Sequence, residues 1–345
     1  MRDRTDVDRT EGAKPLGQSG SELPPFPFFV GCSRSGTTLL RAIFTAHPQM
    51  AIPDEAHYVM QMLRSREKYE RPDGFAVEVF LHDLLNHKLF PAWVLPKEVV
   101  QESFRATPPG NYPDAVRRVF SLHARQWGKP RYGDKSPRNV LNLPLLAEAF
   151  PEAVFVHIIR DGRDVALSLL ELPWAGPDTI VEAATYWRRR VQRGRKGGRS
   201  IGSSRYREVR YETLLEDPES TVRSLCEFIK LPFDPIMLRY YEQEDLFGHR
   251  SKPEPEGRTK EGHHQKPPTK GLRDWRTQMS KSDLALFEVA AGDLLDELAY
   301  ERGMADISSS AKLKGRLLTL GNNGRLAFQR LIHRTRTSHP RRFED

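Results

Sequence analysis

Cysteine is almost absent from this 345-residue chain, with Cys32 and Cys226 the only two. Two thiols make neither a disulfide scaffold nor a four-cysteine zinc site. Long hydrophobic runs are missing as well. The longest apolar stretch, Ala153 through Ile159, is far short of the ~18 residues of a membrane span. Residues 1–24 are polar and charged, without the apolar segment of a signal peptide. No G-x-S-x-G occurs, which removes serine-hydrolase chemistry of the nucleophile-elbow type. His263-His264 has no third ligand at metal spacing, so no metal is expected. These absences lead to the expectation of a soluble protein in a reducing, cytoplasmic compartment. Charge of one sign is scarce too. Lys and Arg number 54 against 46 Asp and Glu, an excess of only +8. That excess suits nucleic acid, a membrane surface or a phosphorylated small molecule equally well.

What is present alternates. The run 25–30 (PFPFFV) reads as a buried strand, and Thr37–His47 carries Leu39, Leu40, Ile43 and Phe44 at helical spacing before Pro48. Segments 56–66, 75–89, 97–106, 112–127 and 138–149 read as helices. Ala153–Ile159 is the strongest strand and leads into a helix over 164–170. Residues 178–193 read as a helix, 206–210 as a strand and 218–229 as another helix. Strands alternating with helices predict a parallel α/β sheet. Three regions follow: a flexible tail (1–24), one domain (25–300) and a basic C-terminal extension (301–345). Residues 248–272, rich in Pro, Gly, Lys and Glu, read as a long loop.

The most informative segment is Gly31-Cys32-Ser33-Arg34-Ser35-Gly36-Thr37-Thr38. Its G-x-x-x-x-G spacing turns the backbone so that N–H groups point inward, and the helix N-terminus adds its positive end. A nucleoside triphosphatase carries Lys directly after the second Gly. Here Thr37 stands there, and the cation has moved into the loop as Arg34. That speaks against ATP or GTP hydrolysis and for a donor that needs no Mg²⁺. Cys32 is read as a small loop residue, and His47 as structural.

A second anion site is predicted at Arg160-Asp161-Gly162-Arg163, at the carboxyl end of the strongest strand. Ser168, two helical turns beyond Arg160, is placed to share one phosphate with it. Asp161 reads as a helix N-cap, or as a Walker B carboxylate without its Walker A lysine. Two phosphate sites on one sheet point to a nucleotide phosphorylated in two places.

These residues resemble the PAPS-dependent sulfotransferase superfamily, most of all the tyrosylprotein sulfotransferases and their bacterial relatives. The likeness rests on SRSGTTLLRAIFTAHP (33–48), GDKSP (133–137), VHIIRDGRDVALS (156–168), RYETLLEDPESTVRSLCEFIKLPF (210–233) and Trp275-Arg276. It implies a P-loop-like three-layer α/β fold, with a central parallel sheet flanked by helices and with helical insertions. It also implies metal-independent transfer of a sulfuryl group from PAPS to a hydroxyl acceptor, leaving PAP. By this resemblance Arg34, Ser35, Gly36, Thr37 and Thr38 hold the 5′-phosphosulfate. Arg160 and Ser168 bind the 3′-phosphate, and Tyr211 contacts the same side of the nucleotide. Lys135 and Arg34 stabilise charge on the transferring group, and Glu55 falls at the position of the general base. His57 is the internal alternative for that base. The chain departs from the resemblance at Leu172, where an arginine is expected. Thr259, Lys266 and Arg273 are candidates to complete the nucleotide site. A P-loop small-molecule kinase and a non-catalytic nucleotide-binding module remain the rival readings.

The acceptor is expected to be a small molecule or a peptide hydroxyl, with segments 56–130 and 240–272 forming its pocket. Tyr58, Phe75, Phe80, Phe90, Trp93, Phe104 and Tyr112 are the aromatics available, either to that pocket or to a helix core. The basic stretches 188–210 and 312–342 lack a nucleic-acid module, so no nucleic acid is expected as a partner. The C-terminal stretch is a possible contact in a homodimer.

Overall fold

The computed structural model describes residues 23–172, 175–243 and 273–336. The sequence-based expectations for the tail, the loop 248–272, Thr259, Lys266 and His263-His264 lie outside these, apart from Leu23 and Pro24 of the tail.

The chain enters on β1 (Phe26–Gly31) and turns into α1 (Thr37–Ala46), followed by the short β2 (Met50–Ala51). A mainly helical insertion comes next: α2 (His57–Leu63), the hairpin β3 (Glu70–Arg71) and β4 (Gly74–Phe75), α3 (Val77–Leu85), α4 (Lys97–Ala106) and α5 (Tyr112–Gln126). Then β5 (Arg131–Tyr132) pairs with β2, β6 (Asp134–Lys135) joins β1, and α6 (Leu143–Ala149) leads to β7 (Ala153–Ile159). After it stand α7 (Gly162–Leu170), α8 (Ile180–Ile201), β8 (Tyr206–Arg210), α9 (Tyr211–Glu216) and α10 (Pro218–Phe228). The last elements are α11 (Trp275–Gln278), α12 (Lys281–Glu297) and α13 (Ser309–Arg336).

The main sheet runs β6-β1-β7-β8, every pair parallel. Both β1 and β7 are buried along their whole length. Parallel strands covered by helices on both faces need such continuous apolar runs. Successive side chains point to opposite faces. Phe26, Phe28, Val30 and Phe155 therefore pack under the helical insertion and α6. Phe29, Val156 and Ile158 pack instead against α1 and α10. The result is helix, sheet and helix in three layers, as the sequence predicts.

The insertion is held by its own aromatics. Phe80 stacks on Phe104 at 5.4 Å between centroids, and Trp93 meets Phe120 at 4.8 Å. Tyr58, Phe80, Phe90, Trp93, Phe104 and Tyr112 are fully buried, which makes them helix core and not pocket lining. Each contributes on the order of 1.5–3 kcal/mol through burial.

Helix α8 is longer than the pattern suggested. Gly194, Gly197 and Gly198 read as an end, because glycine is a poor helix former. The helix continues through them because its inner face lies too close to its neighbours for side chains. A Cβ on Gly194 would stand 2.5 Å from both His157 and Val140. The cations of this stretch are partly used inside the fold. Arg188 donates to the Ala290 carbonyl and pairs with Asp293, while Arg195 pairs with Glu208 at 3.0 Å and Glu297 at 2.5 Å. They tie α8 to α12, a helix absent from the sequence reading. Its signals are Ser280, which accepts the Asp283 N–H, and Leu284, Phe287, Ala291 and Leu294 at helical spacing.

Gly194→Ala is expected to lower thermal stability by ~1–3 kcal/mol through overpacking, although alanine is the better helix former. Calorimetric melting of the two proteins measures this.

Candidate active site

The loop between β1 and α1 turns on two tight glycines. A Cβ on Gly31 would lie 2.6 Å from the Ile158 carbonyl oxygen. Gly36 has φ +101° and lies against the Tyr211 ring, where a Cβ would sit 2.5 Å from a ring carbon. Arg34 also takes a positive φ, +71°. Helix α1 starts without a side-chain cap, so its first N–H groups face the loop. Ser35 is fully buried, and its Oγ has no partner. Together these make a concave set of donors with its positive end toward the sheet's carboxyl edge. Cys32 is buried in the same loop, and burial pushes its thiol up to about 12. It is not a nucleophile.

Arg160 leaves the tip of β7 and is 8% exposed. Its Nη2 donates to Asp164 and to the Arg273 carbonyl, both at 3.3 Å, and its guanidinium lies 4.5 Å from the centroid of the Tyr211 ring. Its Nε is buried without a partner. The Ser168 hydroxyl accepts from Arg34 Nε at 2.9 Å. The loop thus reaches across to α7, and Arg34 joins Ser168 at the place expected for the shared phosphate. Burial lowers the proton affinity of Arg34, and the like charges of Arg273 and Arg160 lower it further. Three guanidiniums from segments more than 100 residues apart converge here.

Asp161 is the N-cap of α7, accepting the Arg163 N–H at 2.9 Å. Arg163 is not a surface arginine. It is fully buried between Asp161 and Glu288, with Trp275 3.6 Å away across its guanidinium. Trp275 also donates its backbone N–H to Asp164 at 3.0 Å. These contacts dock the segment 273–275 onto α7 and so bring Arg273 beside Arg160.

Lys135 ends β6 and is buried. Its ammonium donates to Glu55 at 2.8 Å, and the other Glu55 oxygen lies 2.8 Å from His57 Nε2. Burial works to raise the Glu55 carboxyl, but Lys135 and His57 outweigh it and hold it at about 2. The neighbouring Asp134 is fully buried. Burial pushes its carboxyl up to about 7, against hydrogen bonds from Ser136 and Asn139. Ser136 in turn accepts the Ala56 N–H at 3.0 Å. Asp134 therefore anchors the backbone that presents Glu55 and His57. It was unassigned in the sequence reading, although its place between Gly133 and Lys135 in GDKSP was visible. His47 is structural. Its Nδ1 accepts the Gln49 N–H, which leaves Nε2 to donate to the Pro232 carbonyl.

The structure places Arg34, Ser35, Gly36, Thr37 and Thr38 on one loop and helix start. Arg160, Ser168 and Tyr211 lie around it, while Lys135, Glu55 and His57 form one hydrogen-bonded group. Of the three further candidates Arg273 alone is described, and it pairs with Glu171 next to Leu172.

The Asp134 carboxyl yields a pH test. The unfolded chain releases this proton near pH 4 and the folded chain near 7, so folding retains a proton between them. Its contribution to stability is present below pH 4 and is lost as pH rises through 7. In urea midpoints at pH 5 and pH 8, Asp134→Asn is expected to flatten the fall seen in the parent protein.

The family model described as "Sulfotransferase family" matches residues 25–235. Protein-tyrosine sulfotransferase A of Caenorhabditis elegans is 27% identical over 228 residues, 65% of this chain and 54% of that protein. Protein-tyrosine sulfotransferase 1 of Mus musculus is 26% identical over 222 residues, 63% of this chain and 54% of that protein. The chain spans about half the length of the curated relatives it matches. The sulfotransferase domain of the Synechococcus PCC 7002 olefin synthase shares the fold, with a TM-score of 0.56 at 22% identity, covering 84% of this chain and 99% of that one. The sulfotransferase domain of the curacin biosynthetic pathway gives 0.52 at 19% identity, covering 81% and 99%. Matched along more than half its length by the family model, and built on the same fold as these two domains, the chain belongs to the sulfotransferase family.

Proposed function

We propose that the chain transfers the sulfuryl group of PAPS to a hydroxyl acceptor on a small molecule or a peptide. The observation that carries this is the meeting of an uncapped α1 N-terminus with Arg34 and Arg160, at a loop without the lysine of a triphosphatase. Ser35 Oγ and Arg160 Nε, both buried without a partner, fit a bisphosphorylated nucleotide whose oxygens they would meet. When bound, PAPS supplies an activated sulfuryl group on a good leaving phosphate.

The residues divide the work. Ser35, Gly36, Thr37 and Thr38 orient the 5′ end through the helix N-terminus. Arg160, Ser168 and Tyr211 hold the 3′-phosphate, and Arg273 adds a further cation beside them. Arg34 spans the two groups through its bond to Ser168. Lys135 and Arg34 answer the charge that develops during transfer.

Glu55 removes the acceptor proton. Held at about 2 by Lys135 and His57, it is a weak base. An anion drawn to Lys135 takes over part of that charge, and the proton affinity of Glu55 rises. Base strength thereby follows donor binding. His57, joined to Glu55 at 2.8 Å, is the second candidate for the same role. The names of the relatives support a phenolic hydroxyl as acceptor. The two buried free thiols fit a reducing compartment such as the cytoplasm.

PAP is expected to raise the melting temperature without Mg²⁺, and ATP to raise it less. No shift with PAP overturns the reading. Arg160→Ala should weaken PAP binding about 10- to 100-fold, the worth of charge-assisted hydrogen bonds. For the base, Glu55→Gln should keep PAP binding and lower kcat by ~10²–10⁴. His57→Gln should cost much less, and the reverse ranking moves the base to His57.

A further inference from the structure

Helix α13 contains Lys312, Lys314, Arg316, Arg325, Arg330, Arg334 and Arg336, and no Asp or Glu. Its charge of +7 compares with +8 for the whole chain, so the rest is nearly neutral. The chain's net excess is thus matched by this helix alone.

Its packing is inverted. The side lying on α12 carries Gly315, where a Cβ would stand 2.8 Å from Val289, and half-buried Ala311, Thr319 and Asn322. The opposite side carries Leu313, Leu317 and Leu320, spaced i, i+4, i+7 and 61%, 59% and 67% exposed. Leu318, 45% exposed, lies apart from them, beyond Lys314 toward the α12 side. Four of the seven large hydrophobic residues exposed among the described residues are on this one helix. At 100° per residue, Lys312 and Arg316 flank the leucine stripe on one side and Lys314 flanks it on the other, all exposed.

We propose that this face of α13 binds the surface of an anionic lipid membrane, lying flat in the interface. Leu313, Leu317 and Leu320 enter the boundary between headgroups and acyl chains, and the flanking cations meet lipid phosphates and carboxylates. Charge and apolarity together select this partner. A nucleic acid would satisfy the cations and leave the leucines in water. A second copy would cover the leucines and set one +7 helix against another. Among the described residues no helix is long and apolar enough to cross a membrane, so the contact lies on the surface.

The test is co-sedimentation of the full chain with phosphatidylserine-rich and pure phosphatidylcholine vesicles. Binding to the anionic vesicles should be at least about tenfold tighter and should weaken with salt. The triple variant Leu313→Ser, Leu317→Ser, Leu320→Ser should lose at least about tenfold of it. Its circular-dichroism melt should stay close to that of the parent, since these side chains are mostly exposed. Lys312→Glu with Lys314→Glu should remove the lipid-charge preference. The proposal is overturned by absence of binding, by leucine variants that bind like the parent, or by tighter binding to duplex DNA. Concentration-dependent dimerisation that the leucine variant abolishes overturns it as well.

Discussion

Neither end of the loop joining β1 to α1 has room for a side chain. At Gly31 the Ile158 carbonyl blocks it, and at Gly36 the Tyr211 ring does. This close approach binds the loop to β7 and to α9, and the rest of the site follows from it. It aims the α1 N-terminus at the carboxyl edge of the sheet, where Arg160 emerges. It also lets Arg34, at positive φ, reach Ser168 on α7. A β-carbon at either glycine would push the helix start away from the strands and separate the donors.

Around that loop three like charges gather, with Asp164 pairing Arg160 and Glu171 pairing Arg273. Burial, and then Arg273 and Arg160, lower the tolerance of Arg34 for its proton, which is a cost to folding. Clusters of this kind persist where an anion relieves them. Lys135 is likewise paired within the protein, by Glu55. The same ammonium faces a carboxylate in one state and an incoming anion in the other. Its partner's basicity depends on which is present.

The abundant arginines and lysines serve different ends. Those of α8 are structural in part, since Arg188 and Arg195 pair with acids of α12. Arg163 is a buried pin holding α12 and Trp275 to α7. Removing one side of such a pair leaves an uncompensated charge, at a cost of ~3–5 kcal/mol. Among the α13 cations whose side chains are described, Lys312, Lys314, Arg316 and Arg325, one has a described acid partner, Arg325 with Glu182. They accompany leucines that face away from the protein.

Periodicity alone was enough for β1, β7, α4 and α5, because a continuous apolar run or a 3.6-residue spacing is local information. The phosphate loop was legible for the same reason: its glycines, Arg34 and Thr37 are neighbours in the chain. Its place at the end of a strand identified Arg160, while Lys135 and Glu55 became candidates through the resemblance to sulfotransferases. Their partners came only from contacts between distant segments. Arg34 donates to Ser168, Asp134 takes up the Ala56 backbone through Ser136, and Arg273 docks beside Arg160 through Trp275. The length of α8 belongs with these, since its glycines break a helix by propensity and extend one where two surfaces touch. Local sequence determined which elements form and which residues carry charge. The tertiary structure decided which charges meet, because a hydrogen bond is set by distance in space and not by distance along the chain.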